Sequence, residues 1–241
     1  MLVHNVAELV PYLAFALFRI PLPLTPIQAL SVDMGTDSLT ALGLGAEPPD
    51  PQDMRLPPRP QTEKLLNWPV AWRAYLFLGP IEAAGAMAAY FFVLFRGGWS
   101  YGQNLPADDP LYLRATTACL TAIIVMQIVN VFLCRSSVRP AFSTGIFNNR
   151  LIAWGVVLEI VLALIINYTP MGNWLLDTAP VPAELWLLLI AAAAAMLVLE
   201  ELRKWIVRNI LGYDGLIRSN RDTPPKGAGG PASKPAAHRH R

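Results

Sequence analysis

Apolar residues gather into blocks near the length of a bilayer crossing, separated by polar and proline-rich stretches. A hydrocarbon core of roughly 30 Å takes about 20 helical residues. Six candidate spans follow in order, at 2–20, 24–45, 71–95, 115–134, 151–169 and 183–202. The third, fourth and fifth are strongly apolar. The first two carry His4, Glu8, Asp33 and Asp37 and contain Pro11 and Pro26, so hydropathy alone rates them marginal. Only Pro21-Leu22-Pro23 lies between them, so a tight hairpin of antiparallel neighbours is expected. Residues 46–70 are rich in proline and carry Arg55, Arg59 and Lys64, which predicts an extended polar loop. Residues 96–114 and 135–150 form two further loops. After about Tyr213 the chain turns to Gly, Pro, Ser and basic residues, so 213–241 is expected to be a disordered tail. The pattern predicts an all-α, polytopic membrane bundle of about six helices over 1–212.

Composition agrees with lipid as the solvent. Of the 241 residues 54% are hydrophobic and 15% charged, where a soluble domain carries roughly a quarter charged. The net charge of +2 and aromatic residues placed inside apolar runs argue against nucleic acid as a partner. Cys119 and Cys134 sit on one span, about 22 Å apart if it is helical, which forbids a disulfide between them. The start Met1-Leu2-Val3-His4 has no basic region ahead of its apolar stretch, so no removable signal peptide is expected.

With both termini in the cytoplasm, the loops and tail on that side hold 16 Lys and Arg residues. The opposite side holds three, Arg19, Arg96 and Arg114. That bias satisfies the positive-inside rule and places the protein in a membrane, expected to be the cell membrane, with cytoplasmic ends.

The acids in the first two spans carry the chemistry. An ionisable group at mid-bilayer costs at least roughly 2.5 kcal/mol, so such carboxylates need partners or a ligand. Asn5 and Glu8 share one helix face, as do Asp33, Thr36 and Asp37. A tight hairpin brings both sets to similar depth. Three carboxylates, an amide and a hydroxyl make an oxygen-rich site suited to calcium, sodium or potassium. Pro11 and Pro26 each remove a helical hydrogen bond, and with Gly35 they are expected to free backbone carbonyls as further ligands. The competing reading pairs these acids with Arg19, His4 or one another. Glu82 has no clear role and reads as a vestibule residue.

The order Asn5-Val6-Ala7-Glu8, Pro11, Ile20-Pro21-Leu22-Pro23-Leu24, Asp33-Met34-Gly35-Thr36-Asp37, Glu47-Pro48-Pro49 and Met54-Arg55-Leu56-Pro57-Pro58-Arg59 resembles the fifth and sixth membrane helices and following loop of type II P-type ATPases. The resemblance implies that Asn5, Glu8, Asp33, Thr36 and Asp37 bind the transported cations. Tyr75, Gly79, Ile81, Gly85 and Tyr90-Phe91 look like the seventh helix of the sodium/potassium pump branch. Gln127 and Asn130 stand where the eighth helix carries polar ligands, and Glu159 resembles a ninth-helix acid, which makes these three secondary candidates. Asp33 looks more like the sodium/potassium and proton/potassium pumps than the calcium pumps, and Gln127 stands where calcium pumps have an acid. The cation is thus open among Ca2+, Na+ and K+.

The family's Asp-Lys-Thr-Gly, Gly-Asp-Gly-x-Asn-Asp and Thr-Gly-Glu motifs do not occur in this sequence. Alone, the chain is not expected to hydrolyse ATP, and ATP and Mg2+ would act only through a catalytic half. Two functions follow. The first is the transport domain of an ATP-driven pump, truncated or split from its phosphorylation and nucleotide-binding domains. The second is an ATP-independent membrane protein, serving as a passive cation pathway, a regulatory subunit or a non-functional remnant.

Overall fold

The computed structural model describes residues 2–47, 66, 68–136, 140, 141, 143, 145 and 148–209. The proline-rich stretch 48–65 and the expected tail lie outside the described residues. All regular structure among the described residues is helical: α1 (His4–Phe18), α2 (Pro26–Ser31), α3 (Asp37–Gly45), α4 (Trp68–Trp72), α5 (Gly79–Arg96), α6 (Pro110–Cys134), α7 (Arg150–Tyr168), α8 (Pro170–Leu176) and α9 (Ala183–Asn209). Two π-helical turns, Val32–Thr36 and Arg73–Leu78, join α2 to α3 and α4 to α5.

The helices start where the sequence supplies caps. Asp109 Oδ1 accepts from Leu111 N at 2.7 Å ahead of Pro110, and Asn149 Oδ1 accepts from Leu151 N at 3.0 Å. Thr25 and Gln28 form a reciprocal capping box around Pro26. Pro26 therefore begins α2 rather than breaking the second segment, because at the first helical position its missing N–H has no bond to lose. The break lies instead at the π turn that carries Asp33 and Gly35.

Among the described residues, four stretches are long and apolar enough to cross a membrane: Trp68–Arg96, Pro110–Cys134, Arg150–Tyr168 and Ala183–Asn209. α1 has 15 residues, and the stretch from α2 to α3 is interrupted by its acids, so neither meets that measure. α6 is the axis of the bundle: 72% of its apolar window is buried, against 28% for Ala183–Asn209, whose other residues are left for lipid.

α1 and α3 do not pack along each other as the short hairpin suggested. α1 lies on α5, and α3 lies on α7. Small residues explain both choices, because they let backbones approach. A Cβ on Gly79 would come 2.7 Å from Val6 Cβ, and one on Gly155 would come 2.6 Å from Thr40 Cγ2. The hairpin turn is held from α5, where Tyr90 Oη donates to Pro21 O at 2.7 Å, and the start of α2 from the end of α8, where Gln28 Nε2 donates to Leu176 O at 3.2 Å.

The opposite end is tied by charge. Glu200, fully buried on α9, accepts from Arg73 and Arg203 at 2.7 Å each, and Arg73 also donates to Leu133 O at 2.9 Å. Arg73, at the start of the second π turn, thus ties α9 through Glu200 to the end of α6 through Leu133. Glu200→Ala removes the acceptor that both guanidiniums share, and should cost about 3 kcal/mol of stability, read as a lowered thermal midpoint in detergent. An unchanged midpoint would show that the pairing contributes nothing.

Candidate cation site

Asp37 lies 4% exposed at the first turn of α3, just after the π turn. Its Oδ1 accepts from Gln127 Nε2 on α6, and His4 Nε2 on α1 approaches the same oxygen at 3.4 Å. The other ring nitrogen of His4, Nδ1, is 2.6 Å from Glu82 Oε1 on α5. Thr36 Oγ1 lies 3.3 Å from Gln127 Oε1 and donates to Val32 O at 2.7 Å. Five side chains from α1, the α2–α3 region, α5 and α6 thus form one buried polar group.

The other candidates stand around it. Glu8 is half-buried, its Oε1 is fully buried without a hydrogen-bond partner, and it is in electrostatic reach of Asp33, His4, Asp37 and Glu82. Glu159 on α7 is fully buried with neither oxygen hydrogen-bonded, and Thr40 and Gln127 are polar side chains that face it. Asn130, 2% exposed and one turn beyond Gln127, accepts from Cys134 Sγ at 3.4 Å. Asn5 and Asp33 are exposed, so the structure draws the rest of the set inward without them.

Two expectations change. Glu8, Asp33 and Asp37 were expected to converge, whereas Asp33 is exposed and Asp37 is joined through His4 to Glu82, because both ring nitrogens of an imidazole can meet a carboxylate. Glu82 is no vestibule residue. It is fully buried and bonded to His4. Its signal in the sequence was a lone acid in an otherwise apolar span, which demands a buried partner.

Side-chain hydroxyls bond back to main-chain carbonyls in and just after the π turn. Ser38 Oγ donates to Met34 O at 3.2 Å, and Thr40 Oγ1 donates to Asp37 O at 3.1 Å. Among the described residues no three of His, Cys, Asp and Glu come close enough to hold a metal ion by themselves. The arrangement is a hydrogen-bonded group of hard oxygen donors whose parts lie on four separately packed segments.

Such an oxygen-rich group, on a helix broken at the acids, suits a membrane ion site. The family described as cation transporting ATPase, C-terminus, matches residues 21–206. The chain belongs to this family. It is 29% identical over 232 residues to potassium-transporting ATPase alpha chain 2 of Homo sapiens, covering 86% of this chain and 22% of that protein. It is 28% identical over 236 residues to sodium/potassium-transporting ATPase subunit alpha-2 of Bos taurus, covering 88% and 23%. The alpha-3 subunit of Rattus norvegicus is 29% identical over 232 residues. The chain spans less than a quarter of the length of these curated relatives. Within the family, it is similar to the carboxyl-terminal membrane region of the sodium/potassium branch of type II P-type ATPases.

Proposed function

We propose that the chain is the cation-binding transport domain of a P-type ATPase, acting with a phosphorylation and nucleotide-binding half. The observation that carries this reading is the buried group around Asp37, in which carboxylates, an amide and a hydroxyl meet beside a helix broken at Val32–Thr36. Asn5, Glu8, Asp33, Thr36 and Asp37 serve as cation ligands, with Gln127, Asn130 and Glu159 as a second set. Asn5 and Asp33 join the others when the π turn and the Pro11 region of α1 adjust, since both lack a full helical hydrogen-bond ladder. The cargo is a monovalent or divalent cation, and the potassium- and sodium/potassium-transporting relatives favour a monovalent one. ATP and Mg2+ act in the catalytic half, whether that half is carried on this polypeptide or another.

α1 and the α2–α3 stretch complete a set of six crossings at 1–212, with both termini in the cytoplasm of the cell membrane. Single cysteines at Asp108 and at Asp53, in a background lacking Cys119 and Cys134, test this orientation. An impermeant thiol reagent added outside intact cells should label the Asp108 site alone. Labelling of the Asp53 site alone would reverse the topology. The function itself is tested by joining the chain to a matching catalytic half. Phosphorylation from ATP should then depend on Na+, K+ or Ca2+, and phosphorylation indifferent to all three would refute the transport reading.

A further inference from the structure

The third crossing contributes an acid to which neither the family match nor the motif spacing gives a role. Glu82 is 0% exposed, and only one of its oxygens is engaged. Oε1 meets His4 Nδ1 at 2.6 Å, while Oε2 is fully buried with no hydrogen-bond partner. His4 in turn reaches Asp37 at 3.4 Å, so Glu82 belongs to the same buried group as the acid that opens α3. An unpartnered buried carboxylate oxygen is costly, and a fold built only for stability would place a Gln or an apolar residue there. The acids in electrostatic reach of this group are Glu8, Asp37 and Glu159, with the exposed Asp33 at its edge, and the bases are His4 and the α-amino group. The excess of acids over bases, with Glu82 Oε2 and both Glu159 oxygens left without hydrogen-bond partners, points to a cation as the missing partner.

We propose that Glu82 is a further cation-site residue, a carboxylate supplied by α5 that sets how strongly the site prefers divalent over monovalent cations. The inference rests on the transport reading above and adds α5 to the helices that form the site. Its charge enters the binding energy through Coulomb attraction, which scales with the charge of the ligand. Removing that one charge should therefore cost a divalent cation about twice the free energy that it costs a monovalent one. A purely structural role would weaken all cations alike.

The test is a titration of the purified full chain with NaCl, KCl and CaCl2, read as the rise in thermal unfolding midpoint against choline chloride. The variants are Glu82→Gln, Asp37→Asn and, as a remote carboxylate, Glu184→Gln. For each salt that stabilises the wild-type chain, Glu82→Gln should raise the half-saturating concentration by roughly tenfold for a monovalent ion and roughly a hundredfold for Ca2+. Asp37→Asn should weaken the same titrations, and Glu184→Gln should leave them unchanged. If Asp37→Asn weakens binding and Glu82→Gln does not, the inference about Glu82 falls while the site reading stands. Equal losses for monovalent and divalent ions would also overturn it, by making the role structural. Should Glu82→Gln fail to accumulate, Glu82→Met, which also removes the charge at similar size, decides: a larger loss for Ca2+ than for Na+ supports the proposal, and unchanged affinities sink it. If none of the three salts stabilises the wild-type chain, the site reading and the inference fall together.

Discussion

Asp37→Asn is expected to raise the cation concentration needed for phosphorylation by roughly thirtyfold or more, in the chain joined to its catalytic half. The substitution keeps shape and removes one charge from a group that is 4% exposed. Losing a charged ligand from such a dehydrated place costs on the order of 2 kcal/mol, which is about thirtyfold in affinity. The fold should persist, because an Asn amide can still present its oxygen to Gln127 Nε2, the present donor to Asp37. Glu8→Gln should follow with a smaller shift, since Glu8 is half-buried, and Asp33→Asn with a smaller one still from its exposed position. Glu184→Gln is the proper comparison, because Glu184 is 57% exposed in a pair with Arg96 at the other end of the bundle. Equal shifts in Asp37→Asn and Glu184→Gln would mean that Asp37 has a structural role only.

Gly155→Val should damage both stability and the site. A Cβ at Gly155 would meet Thr40 Cγ2 at 2.6 Å and the Thr40 backbone N and Cα at 3.3 Å, and a backbone cannot turn aside as a side chain can. Overpacking of this kind costs about 1 to 3 kcal/mol, with a branched residue at the upper end. The consequence reaches the acids, because Thr40 is one turn from Asp37 on α3 and Gly155 is one turn from Glu159 on α7. Separating these helices moves the two carboxylates apart. A lowered thermal midpoint together with weaker cation dependence is the expected pair of results. Gly45→Ala, where nothing lies within 4 Å of the new carbon, should change neither. A midpoint in Gly155→Val equal to that in Gly45→Ala would show that the α3–α7 contact gives way without cost.

Much of this architecture was legible because lipid imposes a length. The apolar blocks at 115–134 and 151–169 lie within or close to Pro110–Cys134 and Arg150–Tyr168, and Asp109, Asn149 and Thr25 mark helix starts by local chemistry. What hydropathy cannot carry is which helix packs on which. The three-residue link invited α1 and α3 to be neighbours along their length, yet Gly79 and Gly155 draw them onto α5 and α7 instead. The acids of the candidate site were visible through their cost in a membrane. Their joining group was not, because His4 and Glu82 are 78 residues apart and neither is part of a local pattern. Pro26 misled for a related reason: its effect depends on whether it falls at the first turn of a helix or inside one, and the Thr25 cap decides that.

Equilibrium binding of Na+, K+ and Ca2+ to the purified chain, with and without Asp37→Asn, is the most direct measurement of whether this buried group holds a cation. Saturable binding of at least one of these ions, weakened about thirtyfold by Asp37→Asn, is the predicted result. Binding that is absent for all three, or equally tight in the variant, would contradict it.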